Sequence, residues 1–109
     1  MGAKRMTRDA VVLEFQASIQ AMLGDRLKEL WLFGSRARGD NRTDSDYDFL
    51  IVADGDRTEL RGLVADKENE IMLRSGQVLA SVVYTPELWE RGRNAPLGLA
   101  VRREGRRIA

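Results

Sequence analysis

Four residues in the first half of the chain carry the chemistry that the sequence indicates most clearly: Gly34, Ser35, Asp46 and Asp48. Gly34 permits a sharp turn and a close approach of the backbone to a phosphate, and Ser35 with the amides that follow it can donate hydrogen bonds to an anion. Alternate residues of a strand share one side, so the two aspartates would point the same way. Magnesium typically binds through one or two carboxylates together with substrate phosphates, so these residues predict a metal and phosphate site.

Two short apolar runs flank these residues. Leu30–Phe33 come directly before Gly34, and Phe49–Val52 come directly after the second aspartate. Both runs are typical of buried strands, so the polar residues would lie in the connection between two strands. The alternative is a solvated turn at Thr43–Asp46, whose short polar side chains would bond only to nearby backbone, with Gly34 doing no more than ending a strand.

The order and spacing of these residues resemble the signature of the DNA polymerase beta-like nucleotidyltransferase superfamily. The Gly34-Ser35 pair, ten intervening residues and the Asp46–Asp48 triplet match that signature, and Arg36–Asp40 resemble its minimal nucleotidyltransferase branch. The resemblance implies that the glycine and serine hold a nucleoside triphosphate. It also implies that the two aspartates bind Mg²⁺ and are the catalytic residues.

Two arginines in the same connection have alternative roles. Arg36 and Arg38 could each clamp a phosphate through the planar guanidinium group, or each could pair with Asp40 or Asp44. Of the two, Arg38 joins the glycine and serine in the predicted nucleotide-binding set.

Apolar periodicity and turn residues divide the chain into alternating helices and strands. Helices are predicted over residues 8–23, 57–75 and 95–104, a short one directly after the Gly-Ser turn and another from Pro86, and strands over 29–33, 47–53 and 77–84. Thr85-Pro86 is typical of a helix start. The alternation implies an α/β (α+β) fold with a small, at least partly parallel sheet. The resemblance implies the polymerase beta-like fold, in which a small mixed sheet is flanked by helices.

The sequence departs from the family at one position of consequence. Active relatives usually add a third carboxylate on the strand after the long helix, close to the metals. That strand, Gln77–Tyr84, contains no Asp or Glu, and we expect Ser81 at the vacant position. Serine is neither a base at neutral pH nor a good metal ligand. Glu70, Glu87 or Glu90 could reach the site from elsewhere.

Composition limits the classes of protein and of catalytic chemistry that are consistent with this chain. The chain has 109 residues, 43% of them hydrophobic and 32% charged, which predicts one globular domain over residues 1–109 and no membrane span. Cysteine and histidine are absent, so catalysis would rest on carboxylates and a hard metal. No long apolar segment follows Met1–Met6, so we expect a cytoplasmic protein.

Charge is unevenly distributed along the chain. The net charge of +1 does not favour nucleic acid as the primary partner. Residues 91–109 nevertheless hold six arginines and one glutamate. This basic end could meet an acidic partner, a nucleotide or RNA, or it could be a solvated helix end whose arginines complement the helix dipole.

Two classes of function are consistent with these observations. In the first, the chain is an enzyme that transfers a nucleoside monophosphate to a hydroxyl acceptor, and we expect this to be AMP from ATP. The resemblance implies that this acceptor is a side chain of a helical HEPN partner, the two proteins forming a toxin and antitoxin pair. In the second, the chain is an antitoxin module that binds nucleotide or partner but has lost turnover with the third carboxylate.

Overall fold

The computed structural model describes residues 9–39 and 46–109. Within these residues the chain forms five α-helices, one short 3-10 turn and four strands. In chain order they are α1 (Ala10–Leu23), the 3-10 turn (Gly24–Arg26), β1 (Leu27–Phe33), α2 (Ser35–Arg38), β2 (Tyr47–Ala53), α3 (Arg57–Ser75), β3 (Leu79–Tyr84), α4 (Pro86–Gly92), α5 (Pro96–Glu104) and β4 (Arg106–Arg107). In the described part of the chain, no helix is both long enough and apolar enough to cross a membrane.

The four strands form one mixed sheet in the order β3-β2-β1-β4. β1 runs antiparallel to β2 and to β4, whereas β2 and β3 are parallel. A parallel pair requires a crossover connection, and α3 provides it. The expected mixed sheet flanked by helices is confirmed.

β2 is the most deeply buried strand because helices cover both faces of the sheet. Phe49 and Ile51 point to the face that α1 and α3 cover, where the Phe49 ring packs 4.2 Å from the ring of Phe15. α4 and α5 cover the opposite face. The buried cluster on that side consists of Leu50, Val52, Trp89 and Val101. A nearly continuous apolar run is what a strand buried on both faces requires.

Side-chain caps determine where two of the helices begin. The Asp9 carboxylate accepts hydrogen bonds from the N–H groups of Val11 and Val12, at 2.9 and 3.3 Å, and α1 starts directly after it. The predicted start at residue 8 lies outside the described residues, within which the helix begins at Ala10. Thr85 caps α4, and Pro86 occupies its first turn, as the sequence predicted.

The other departures from the predicted elements are at strands. β1 begins at Leu27, earlier than predicted, because Leu27 pairs with Ala53 across an irregular register. β3 begins at Leu79, later than predicted. β4 was not predicted at all. It consists of two arginines that pair with Trp31 and Leu32, and so short a charged segment has no apolar alternation to reveal it.

A half-buried carboxylate lies where α3 packs against β3. The hydroxyl of Ser81 donates a hydrogen bond to Oε2 of Glu68 at 2.5 Å, in an open groove of about 350 Å³ that Arg61 also lines. Burial raises the pKa of the Glu68 carboxyl, and the hydrogen bond from Ser81 offsets this only in part. The ionised form of Glu68 therefore costs the folded state stability at neutral pH.

We expect Glu68→Gln to raise the melting temperature at neutral pH. A carboxyl group whose pKa is raised on folding contributes stability that is fully present below its unfolded pKa and is lost as the pH rises through the folded pKa. Glutamine does not ionise and can still accept the hydrogen bond from Ser81. Thermal unfolding across the acidic to neutral range checks this.

The parent and Glu68→Gln should unfold at the same temperature when the pH is well below the ordinary pKa of glutamate. Glu70→Gln is the control, because Glu70 is exposed on the same helix and pairs with Lys67 at 3.4 Å, so this change should not raise the melting temperature. A neutral-pH melting temperature for Glu68→Gln below that of the parent would contradict the assignment.

Candidate active site

The Gly34-Ser35 turn joins β1 to α2. Gly34 has φ 75° and ψ −160°, a conformation that is essentially restricted to glycine, and it occupies the N-cap position of α2. Its carbonyl oxygen accepts hydrogen bonds from the N–H groups of Ala37 and Arg38, both at 3.1 Å. The half-buried Ser35 is the first residue of α2, so the backbone turns at the position that the sequence indicated.

The two aspartates lie at the start of β2, beside this turn. Asp48 pairs with Phe33, the last residue of β1, which places its carboxylate next to Gly34. A methyl group built on Gly34 would lie 2.6 Å from Oδ2 of Asp48. Asp46 precedes the strand and is exposed. The structure thus brings Gly34, Ser35 and Asp48 into one small region, with Asp46 two residues from Asp48 along the same side.

The electrostatics of this pair favour a bound cation. Burial raises the pKa of the Asp48 carboxyl, and the negative charge of Asp46 raises it further. In the described part of the chain, no side-chain cation pairs with either carboxylate to offset this repulsion. Two carboxylates are a donor set that suits a hard cation such as Mg²⁺, whose remaining ligands would be water and phosphate oxygens.

No third acidic ligand completes a metal cluster among the described residues. Two of the three glutamates proposed as substitutes form ion pairs: Glu70 with Lys67 on α3, and Glu90 with Arg93, the residue directly after α4. Glu87 is exposed in the first turn of α4. Among the described residues, Asp46 and Asp48 are therefore the two carboxylates that the structure places at this position.

The predicted position of the missing third carboxylate, Ser81, is wrong. In the parallel pair of β2 and β3, Ser81 is level with Phe49, whereas Ala80 is level with Asp48. Residues that are level in neighbouring strands point to the same side of the sheet, so Ser81 faces away from the aspartates and bonds to Glu68 instead. The exposed Ala80 occupies the position beside Asp48. Alternation alone identifies which residues share a face, but not which face meets the site.

The two arginines of the connection have different environments. Arg36 is 9% exposed, and its guanidinium carbon lies 4.1 Å from the centre of the Tyr47 ring. Arg38 is exposed and pairs with Glu104 of α5, with Nη1 and Oε1 3.6 Å apart. The alternative partners Asp40 and Asp44 lie outside the described residues. Of the two arginines, Arg38 therefore has the more exposed side chain.

Sequence reasoning missed Tyr47 as part of the site. Its side chain points away from the aspartates, is 3% exposed, and donates a hydrogen bond from its hydroxyl to Oδ2 of Asp9 at 2.8 Å. Burial, followed by this hydrogen bond, raises the pKa of the Tyr47 hydroxyl to about 12. The two-residue period of a strand was the available signal, because a residue between two outward aspartates must point inward.

Comparison with known proteins identifies the family of this chain. The chain belongs to the nucleotidyltransferase domain family, whose model matches residues 14–98. A Methanocaldococcus jannaschii protein named as a candidate protein adenylyltransferase is 34% identical over 101 residues, which cover 93% of this chain and 97% of that protein. The predicted membership of the nucleotidyltransferase superfamily is confirmed.

Solved structures share the fold. A candidate nucleotidyltransferase from Sulfolobus solfataricus has a TM-score of 0.55 and 23% identity, with 84% of this chain and 80% of that chain covered. A toxin–antitoxin crystallised with AMP-PNP has a TM-score of 0.58 and 18% identity, with 87% of this chain and 70% of that chain covered. At these identities the likeness shows the fold alone.

We expect Gly34→Ala to destabilise the protein by about 1–3 kcal/mol, because the residue adopts a conformation that side chains disfavour. The new methyl group would also displace the Asp48 carboxylate, which lies 2.6 Å from it. Denaturant unfolding measures the first effect.

Gly62→Ala is the matched control, because a methyl group built there meets nothing within 4 Å and the residue lies inside α3. It should stabilise the protein, by up to about 1 kcal/mol. Equal effects of the two changes would contradict the conformation assigned to Gly34.

A second prediction tests the register of β3. Ala80→Asp would place a third carboxylate beside Asp48, so like-charge repulsion should lower the melting temperature in chelator, by about 4–8 °C for each kcal/mol lost. Magnesium should restore it. Ser81→Asp should also destabilise, because the new charge would face Glu68, but magnesium should not rescue it. Rescue of Ser81→Asp rather than Ala80→Asp would show that the faces are assigned the wrong way round.

Proposed function

We propose that this protein is a magnesium-dependent nucleotidyltransferase that transfers AMP from ATP to a hydroxyl group of a partner protein. One observation carries the proposal: Oδ2 of Asp48 lies against Gly34, with no room for a side chain between them. A phosphate held at the Gly34-Ser35 turn would therefore be within reach of a cation held by Asp46 and Asp48. This is the arrangement that phosphoryl and nucleotidyl transfer require, since catalysis there is mostly positioning and charge stabilisation.

Each residue has a separate task in this proposal. Gly34 lets the triphosphate approach the backbone, Ser35 donates a hydrogen bond to it, and the exposed Arg38 can leave Glu104 to bind a phosphate oxygen. Asp46 and Asp48 hold Mg²⁺, which when bound would neutralise phosphate charge and so assist in-line attack. The acceptor oxygen forms a bond to the α-phosphorus, pyrophosphate leaves, and the hydroxyl proton passes to water.

The nature of the acceptor is supported by the relatives. The similar protein of Methanocaldococcus jannaschii is named for adenylyl transfer to protein, and one structure of the same fold is a toxin–antitoxin with an ATP analogue. We infer a protein partner in the cytoplasm, a helical HEPN toxin, for which this chain is the antitoxin. A short helical protein encoded next to this chain would support the assignment.

A second function is favoured by the alanine at position 80. With no acid beside Asp48 on β3, the site has two carboxylates, enough to bind one magnesium–nucleotide but without a third ligand for a second metal. In this alternative the protein is a catalytically degenerate antitoxin module that binds nucleotide or its partner without turnover.

Calorimetric titration tests the nucleotide site that both functions require. With α,β-methylene-ATP, which cannot release pyrophosphate, we expect binding in magnesium and much weaker binding in chelator, because the carboxylates hold the nucleotide through the metal. Asp48→Asn should remove the magnesium-dependent part.

Asp54→Asn is the matched control. Asp54 is an exposed aspartate just beyond the other end of β2, where it pairs with Lys28 at 3.4 Å, so this change should leave binding unaltered. Equal binding of the analogue in magnesium and in chelator would overturn the proposed site.

A further inference from the structure

Arg36 is a cation inside the fold, placed directly after the Gly34-Ser35 turn. Its guanidinium group stacks on the Tyr47 ring at 4.1 Å, and Nη2 donates a hydrogen bond to Oε1 of Gln77 at 3.2 Å. A planar guanidinium held by both a ring face and a directed hydrogen bond retains little rotamer freedom. Arg36 therefore joins the turn to Tyr47 through a defined contact.

Tyr47 is itself held by other parts of the chain. Its hydroxyl donates to Asp9, the cap of α1, at 2.8 Å, and its backbone N–H donates to the carbonyl of Val78 at 2.9 Å. Because neighbouring side chains leave a strand on opposite sides, a fixed Tyr47 ring also fixes the direction in which Asp46 and Asp48 leave. The contact between Arg36 and Tyr47 thus links the Gly34-Ser35 turn to the start of β2, on the face of the sheet opposite to the two aspartates.

We propose that Arg36 is a positioning residue that acts through Tyr47 to set the carboxylates of Asp46 and Asp48 relative to the Gly34-Ser35 turn. This inference rests on the proposed function and assigns Arg36 a part in it that differs from phosphate binding. A phosphate clamp would need its guanidinium on the aspartate side of β2, whereas this one is buried on the Tyr47 side.

The test is a magnesium titration of α,β-methylene-ATP binding to Arg36→Gln and to the parent. Loss of a group that orients a metal ligand typically weakens metal affinity by about 10- to 100-fold, so the magnesium concentration for half-maximal binding should rise by that factor. Binding in chelator should change little, because Arg36 does not itself hold the nucleotide in this account.

Two further variants separate positioning from a general loss of stability. Val64→Ala removes volume from the core on the same side of the sheet, within α3, so it should lower the melting temperature without moving the magnesium midpoint. Tyr47→Phe keeps the ring under Arg36 and removes only the hydrogen bond to Asp9, so its midpoint should rise by less than that of Arg36→Gln.

A folded Arg36→Gln with the parent's magnesium midpoint would overturn this inference and leave the proposed function standing. An equal shift of the midpoint in Val64→Ala would do the same. If Arg36→Gln does not fold by circular dichroism, Arg36→Met decides, because methionine keeps an unbranched side chain against the Tyr47 ring and removes the guanidinium: a raised midpoint supports the inference and an unchanged one overturns it. If the parent itself shows no magnesium-dependent binding, the proposed function is wrong and this inference falls with it.

Discussion

The alternation of side chains along β2 is the constraint on which the candidate site depends. Helices cover both faces of this strand, so each side chain must point to one face or the other. A shift of one residue in the strand register would move every side chain to the opposite face. Tyr47 enters the core beneath α1 and thereby sends Asp46 and Asp48 to the opposite side. At that end of the strand the helices leave the carboxylates accessible, and Asp48 meets the Gly34-Ser35 turn. The same packing that stabilises the sheet therefore brings the residues of the candidate site together.

Much of the fold could be predicted because its signals are local. The helix predicted over residues 57–75 matches α3, since Asp56 caps its start and Gly76, with φ 72°, ends it. The position of the candidate site could also be predicted, because Gly34 and the two aspartates lie at the ends of apolar runs. The burial of Arg36 and the position of Ala80 beside Asp48 could not be predicted. Both depend on which elements pack together and in what register, and neither is written in the spacing of residues along one segment.

The basic end of the chain illustrates how charge alone leaves a role open. Arg102 donates hydrogen bonds to the carbonyl of Arg93 at 3.1 Å and to the side chain of Asn94 at 2.8 Å, which secures α5 to the end of α4. Such contacts agree with the interpretation of this region as a helix end that complements its own backbone. The pair formed by Arg38 and Glu104 is partly exposed and so contributes little stability.

The transfer of label from ATP to the partner protein distinguishes an adenylyltransferase from a module that only binds nucleotide. The purified protein, its partner and magnesium would be incubated with ATP labelled at either the α- or the γ-phosphorus, beside Asp48→Asn as the negative control. We expect the α label to become covalently bound to the partner, the γ label to remain unbound, and Asp48→Asn to transfer neither. Transfer of the γ label would identify a kinase and contradict the proposed transfer of AMP. Failure of the α label to transfer to a bound partner would leave a nucleotide-binding module in place of the enzyme.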